Sequence, residues 1–173
     1  MISLKNLFRK ILFILPRAIL VGIFLFTLLV TVLSNFDYFE PYIPPVYLAR
    51  ASIRNYNDRI LVGPYPHLDE MKVLKRNGVQ TLISLLDTSL PQEKALADRE
   101  AINASRLGIE VRFFPLGYLP VDSEQNRRTR EQIMAMVAGD RKKLYIHCYL
   151  GRHRANFIAD GLSGVEPPTG KKH

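Results

Sequence analysis

Apolar and polar positions change rhythm along this chain, and each rhythm predicts a different kind of element. Residues 11–34 are almost wholly apolar, and no charge interrupts them from Ala18 to Leu33. At roughly 1.5 Å of rise per residue, such a helix crosses a hydrocarbon core about 30 Å thick. A soluble core helix carries a polar face, which this run lacks. A cleaved signal peptide is the competing reading, but the run is long for a signal and Val32-Leu33-Ser34 makes a poor cleavage site. The pattern predicts one transmembrane helix, an uncleaved signal anchor. Arg17, next to Pro16, can draw its charged head back to the interface. Tyr38, Phe39 and Tyr42 suit the opposite aromatic belt, and Pro41, Pro44 and Pro45 a stiff exit linker.

From Asn57 onward the rhythm is that of alternating strands and helices. Arg59-Ile60-Leu61-Val62 reads as a short strand and Gly63-Pro64-Tyr65-Pro66 as a turn. A helix opens at His67 and stops at Asn77-Gly78, and the unbroken apolar run Val79 to Leu86 reads as a strand buried on both faces. A second helix runs from Ser89-Leu90-Pro91 to Leu107, Gly108 ends it, and Ile109 to Leu116 is the next strand. After the loop Gly117–Asp122, Asp122-Ser123-Glu124 caps a helix to about Val137, and Gly139-Asp140 turns the chain into a last strand. The expected fold is α/β, a mostly parallel sheet flanked by helices and preceded by one transmembrane helix. The expected division is residues 1–36 as cytoplasmic tip and anchor, 37–56 as linker and 57–173 as the folded domain.

Charge refines this picture in two places. Lys5, Arg9, Lys10 and Arg17 precede or enter the apolar run, whereas Asp37 and Glu40 follow it. The positive-inside rule then puts the N-terminus in the cytoplasm and the folded domain outside, in the periplasm if the cell is bacterial. The net charge of +8 falls to +4, from 20 basic and 16 acidic side chains, once residues 1–36 and their four bases are set aside. That mild excess suits phosphorylated substrates and gives no nucleic-acid footprint. One cysteine excludes an intramolecular disulfide framework.

That cysteine marks the stretch where the chemistry concentrates, Tyr145-Ile146-His147-Cys148-Tyr149-Leu150-Gly151-Arg152-His153-Arg154. The apolar run from Lys143 to Ile146 reads as a buried strand that delivers Cys148 into a loop ending at Arg154. Ala155-Asn156-Phe157-Ile158-Ala159 can begin a helix. A strand, a glycine-containing loop and a helix N-terminus make an anion site, because successive N–H groups point inward and the helix dipole adds positive charge. The same field favours the thiolate form of Cys148, a nucleophile. The planar fork of Arg154 can grip two phosphate oxygens. Tyr149, Leu150, Gly151, Arg152, His153 and Arg154 are therefore the candidate substrate-binding residues, and Cys148 and Arg154 the first catalytic candidates. A small buried hydrophobe is the plain alternative for a lone cysteine. A metal site of His147, Cys148 and His153 lacks a second ligand pair at any usual zinc spacing, so neither metal nor other cofactor is expected.

The Cys-x5-Arg string, preceded by His147 and containing Gly151, resembles the cysteine-based protein tyrosine phosphatase superfamily, most of all its dual-specificity and atypical branches. The resemblance runs from about Asn57 to Ile158 and includes the strand–helix–Gly–strand opening. Rhodanese-type sulfurtransferases also cradle a cysteine, but their loop typically reaches arginine one residue sooner. The resemblance implies that Cys148 accepts the phosphoryl group, Arg154 clamps it, and His147 supports the loop. It also implies a loop carboxylic acid that protonates the leaving oxygen. Asp122, 26 residues before Cys148 and at a helix start, is the first candidate, with Glu124 next; an Asp there is also ordinary helix punctuation.

Two departures from that family stand out. Ala155 occupies the place of the usual Ser or Thr, and Asn156 that of the usual glycine. Only 19 residues follow Arg154, and Gly161-Leu162-Ser163-Gly164 with Pro167-Pro168 stops a helix near Leu162, where the family packs further helices. The implied function is a membrane-anchored phosphatase working through a Cys148 phosphoenzyme. Phosphotyrosine in proteins or dual specificity is the default substrate, and Arg152 and His153 leave small phosphorylated metabolites open. The alternative is a non-catalytic pseudophosphatase, a phosphate-binding module tethered to the membrane. Ala155 and the short C-terminal part favour that second reading, and Cys148 itself the first.

Overall fold

Period-two alternation in the strands decides which helices cover which face of the sheet. The computed structural model describes residues 4–39 and 48–162. The exit prolines Pro41, Pro44 and Pro45 with Tyr42, and Ser163, Gly164, Pro167 and Pro168, lie outside the described residues. The elements in chain order are α1 (Leu4–Ser34), α2 (Phe36–Phe39), β1 (Arg54–Asn55), β2 (Ile60–Pro64), α3 (Leu68–Arg76), β3 (Val79–Ser84), α4 (Pro91–Leu107), β4 (Glu110–Phe113), α5 (Glu124–Gly139), β5 (Lys143–Cys148) and α6 (His153–Leu162). The sheet order is β1-β2-β5-β3-β4, with β1 antiparallel to β2 and every other neighbour parallel. The α/β architecture is the one expected.

Leu144, Ile146 and Cys148 of β5 face a layer built with Ile133 and Val137 of α5 and Ala155, Ile158 and Leu162 of α6. Tyr145 points the other way, into a layer with Met71 and Leu74 of α3 and Ala104 of α4. A strand buried on both faces needs apolar residues at both parities, which is why β5 reads as a continuous run. Each large side chain buried here contributes about 1.5–3 kcal/mol relative to exposure, so the central strands carry much of the fold's stability.

Three local features differ from the sequence reading, each for a visible reason. Arg54–Asn55, read as linker, forms a two-residue edge strand paired to Leu61 and Val62; so short, polar and exposed a segment carries no strand signal. Gly63 and Pro64, read as a turn, continue β2 opposite His147 and Cys148. A side chain at Gly63 would run into the Tyr145 hydroxyl, which donates to the Pro64 carbonyl at 2.6 Å. The strands read as ending at Leu86 and Leu116 leave the ladder at Ser84 and Phe113. Beyond those points the Leu85 and Leu116 carbonyls accept hydrogen bonds from Arg154.

Within α1, Ile14–Ser34 is a 21-residue apolar stretch of mean hydropathy 2.3, none of it buried within the protein. It is long and apolar enough to cross a membrane, and a signal sequence passes the same test. After Asn35 the chain enters α2, whose Phe36 packs against a cluster of Tyr65, Leu86, Leu96 and Ala97 that also receives Tyr149. Both α1 and α2 contact α4.

Candidate active site

Parallel strands end on the same edge of a sheet, and ligands bind in open α/β sheets at the carboxyl edge. Here β5 ends at Cys148 on that edge, between β2 and β3. The loop from Tyr149 to Arg152 leads directly into α6, which starts at His153. Cys148, Tyr149, Leu150, Arg152, His153 and Arg154 line one cavity of about 300 Å³, closed on its other side by Tyr118, Leu119 and Val121. Every residue of the loop singled out from sequence lines it except Gly151. That glycine lies buried at the loop's underside with φ +70°.

Gly151 is required twice over. Its left-handed backbone costs any other residue about 1–3 kcal/mol. A Cβ there would also sit 2.5 Å from the Gly63 carbonyl carbon and 2.8 Å from its oxygen, against strand backbone that cannot yield. Gly151→Ala is therefore expected to lower stability by at least about 2 kcal/mol and to disorder the loop. The control is Gly139→Ala, where a new Cβ meets nothing within 4 Å. Equal thermal unfolding midpoints for the two variants would count against this role for the close approach.

His147 points to the opposite face of the sheet from Cys148, as alternation along β5 requires. Its Nε2 lies 2.6 Å from Glu100 Oε1, and Glu100 in turn accepts from Ser84 Oγ at 2.8 Å. All three side chains are buried, and the His147 ring stacks on Tyr145 at 5.6 Å. A buried, hydrogen-bonded imidazole outside the cavity is a brace for the cysteine strand.

Arg154 is held from behind. Its Nη1 donates to the Leu85 and Leu116 carbonyls at 3.0 and 3.1 Å and to Glu93 Oε2 at 2.9 Å. Its Nη2 donates to Glu93 Oε1 at 2.5 Å. A guanidinium has five donors. Among the described residues, no hydrogen bond engages the Nε–H or the second Nη2–H. Those two N–H groups share one edge of the guanidinium plane, the geometry that takes two oxygens of a phosphate side-on. Burial alone would lower the Arg154 pKa, but the Glu93 hydrogen bonds and charge more than offset it and hold it above the ordinary arginine value. Tyr118 lies over the guanidinium, 4.1 Å from ring centroid to Cζ, and its hydroxyl donates to Glu93. Burial first, and then that bond, push the Tyr118 pKa well up, so the phenol stays neutral.

The two candidate acids lie elsewhere. Asp122 is exposed, its carboxylate 3.7 Å from Arg127 Nη2, and it is absent from the cavity lining although Val121 beside it is present. Glu124 is exposed and paired with Arg128. The loop that carries Asp122 is anchored by buried Asn126, whose side chain bonds the Gly117 N–H and the Gly117 and Val121 carbonyls, each at 3.0 Å. Ser123 is the observed N-cap of α5. Ala155 is fully buried in the layer under the cysteine, and Asn156 accepts from Arg54. Among the described residues no cluster of three metal-binding side chains occurs.

Sequence reading missed Glu93, Glu100, Tyr118, Leu119 and Val121. Glu93 stands in the first turn of α4, where a carboxylate is routine helix-dipole chemistry. Only its near-complete burial sets it apart.

No family model matches the chain, and no curated protein matches it. Among solved structures, two of a protein from Shewanella putrefaciens CN-32, provisionally described as a phosphatase (DUF442), share its fold. One has a TM-score of 0.54 at 18% identity and covers 67% of this chain and 72% of its own. The other has a TM-score of 0.53 at 21% identity and covers 64% and 66%. At such identities the likeness is one of fold: this chain has the mixed sheet and flanking helices of those phosphatase-like proteins.

Proposed function

We propose that the protein is a cysteine-dependent phosphatase held at a membrane by its N-terminal helix. The observation that carries this reading is a single cavity containing Cys148 and Arg154, with the arginine locked by Glu93 so that one donor edge remains for an anion. Its shared fold with the Shewanella proteins supports a phosphorylated substrate.

The reaction follows from the geometry. A phosphomonoester enters with its phosphate oxygens on the loop N–H groups and the open edge of Arg154. The Cys148 thiolate attacks phosphorus in line; the S–P bond forms as the P–O bond to the alcohol or phenol breaks. Asp122 gives its proton to the departing oxygen, after its loop swings the carboxyl away from Arg127 and over the cavity. Water then attacks the phosphocysteine, its proton returns to Asp122, the P–S bond breaks, and inorganic phosphate leaves. With Ala155 in place of a hydroxyl, nothing at that position donates to the departing sulfur, so breakdown is the slower step.

Asp122→Asn tests the acid. Hydrolysis of an alkyl phosphate, a poor leaving group, is expected to fall about a hundredfold or more, while an activated aryl phosphate loses far less. Equal losses on both substrates, or none, would remove Asp122 from the mechanism and pass the question to Glu124. The resemblance gives phosphotyrosine or dual specificity as the default, and the flanking charges favour a cytoplasmic N-terminus with the catalytic domain outside. A second reading, the membrane-tethered pseudophosphatase, draws on the exposed, arginine-paired Asp122 and the buried Ala155. It predicts phosphate binding without turnover.

A further inference from the structure

Resting on the phosphatase reading above, we infer that the phosphate this site works on belongs to a lipid: a phosphomonoester at the head of an amphiphile in the bilayer that α1 spans. The mouth of the cavity is apolar where a soluble phosphate site would be wet. Leu119, 91% exposed, and Tyr118, 46% exposed, form one wall, and Leu150 and Tyr149 belong to the other. Apolar walls alone would suit a phosphotyrosine ring as well as a lipid, so the position of the mouth decides.

That position is tied to the apolar helix. One residue, Asn35, separates α1 from α2, and the first ring of α2, Phe36, meets the ring of Tyr149 edge-on at 5.9 Å. Tyr149 directly follows the nucleophile and lines its cavity. Leu150 on the same loop accepts from the Ala51 N–H at 2.9 Å, so a segment carrying Leu48, 80% exposed, also abuts the loop. Both α1 and α2 pack on α4, which carries Glu93 and thereby Arg154. The sulfur is thus fixed close to the membrane interface, where aromatic side chains partition well and a leucine such as Leu119 can insert among acyl chains. Arg152 and His153, exposed at the cavity, suit an anionic headgroup at that surface. A phosphate carried on acyl chains would arrive already confined to this plane; a phosphorylated protein loop would have to be pressed into the interface to reach it.

The step is the one derived above, with the diacylglycerol hydroxyl as leaving group and inorganic phosphate as the second product. The test uses the full chain in phosphatidylcholine vesicles containing dioleoyl phosphatidic acid, with phosphate counted after detergent lysis so that either orientation is read. Soluble glycerol 3-phosphate, a tyrosine-phosphorylated peptide and para-nitrophenyl phosphate are run beside it. The expected kcat/KM on phosphatidic acid is about a hundredfold or more above that on glycerol 3-phosphate, which has the same head and no chains. Leu119→Asp is expected to lower the ratio of phosphatidic acid to para-nitrophenyl phosphate turnover about tenfold. Comparable rates on the lipid and on glycerol 3-phosphate, a preference for the peptide, or an unchanged ratio in the Leu119 variant would overturn the lipid assignment and leave the phosphatase reading standing. Failure on para-nitrophenyl phosphate as well would overturn both.

Discussion

Cys148→Ser is expected to abolish release of the leaving group even from an activated aryl phosphate, a fall of about ten-thousandfold or more. A serine hydroxyl at neutral pH is a far weaker nucleophile than a thiolate, and the adjacent imidazole, His147, is turned to the opposite face and engaged with Glu100. The substitution is nearly isosteric at a site only 3% exposed, so the fold should survive. Binding should survive too, because the loop N–H groups and Arg154 are untouched. The variant should therefore bind inorganic phosphate competitively while turning nothing over. The pseudophosphatase reading predicts instead that the wild-type chain behaves just as this variant does.

Glu93→Gln is the second large effect, and it follows from the structure alone. Arg154 is 3% and Glu93 1% exposed, so they form a buried ion pair with two direct bonds. Removing one partner of such a pair leaves a desolvated charge uncompensated, at a cost of about 3–5 kcal/mol. A glutamine keeps the shape and one acceptor, so the loss should lie toward the lower end. The freed arginine also loses the contact that fixes its open edge. The Michaelis constant for an aryl phosphate should rise together with the inhibition constant for inorganic phosphate, and the thermal midpoint should drop. If the midpoint drops while both constants stay unchanged, Glu93 serves the fold and does not position the clamp.

The contrast between these two residues explains what was legible in the sequence. Cys148, Gly151 and Arg154 lie within seven consecutive positions, and the strand, loop and helix that arrange them are local, so pattern and chemistry point to the same place. The sheet was legible for a related reason: doubly buried strands such as β5 are continuous apolar runs. Glu93 lies 61 positions from the arginine it holds, and nothing in its neighbourhood distinguishes it from a helix-start carboxylate. Tyr118 and Leu119 sit in a loop whose path is set by Asn126, a contact no periodicity reveals. Strand ends differ for the same cause: the apolar runs continue past the ladder ends at Ser84 and Phe113 to Leu85 and Leu116, whose carbonyls bond Arg154. Asp122 was selected by its place before a helix, and the carboxylate found there faces Arg127, so its chemistry depends on a loop movement.

The central claim is that Cys148 carries the phosphoryl group, and the mass of the protein during turnover tests it most directly. The chain would be mixed rapidly with an activated aryl phosphate, quenched, and the peptide spanning Cys148 weighed. Because Ala155 offers the departing sulfur no hydroxyl, the intermediate should accumulate, and a phosphoryl adduct of about 80 Da should appear on that peptide and be absent from Cys148→Ser. Phosphate release without any adduct on Cys148, or an adduct that persists in Cys148→Ser, would contradict the account.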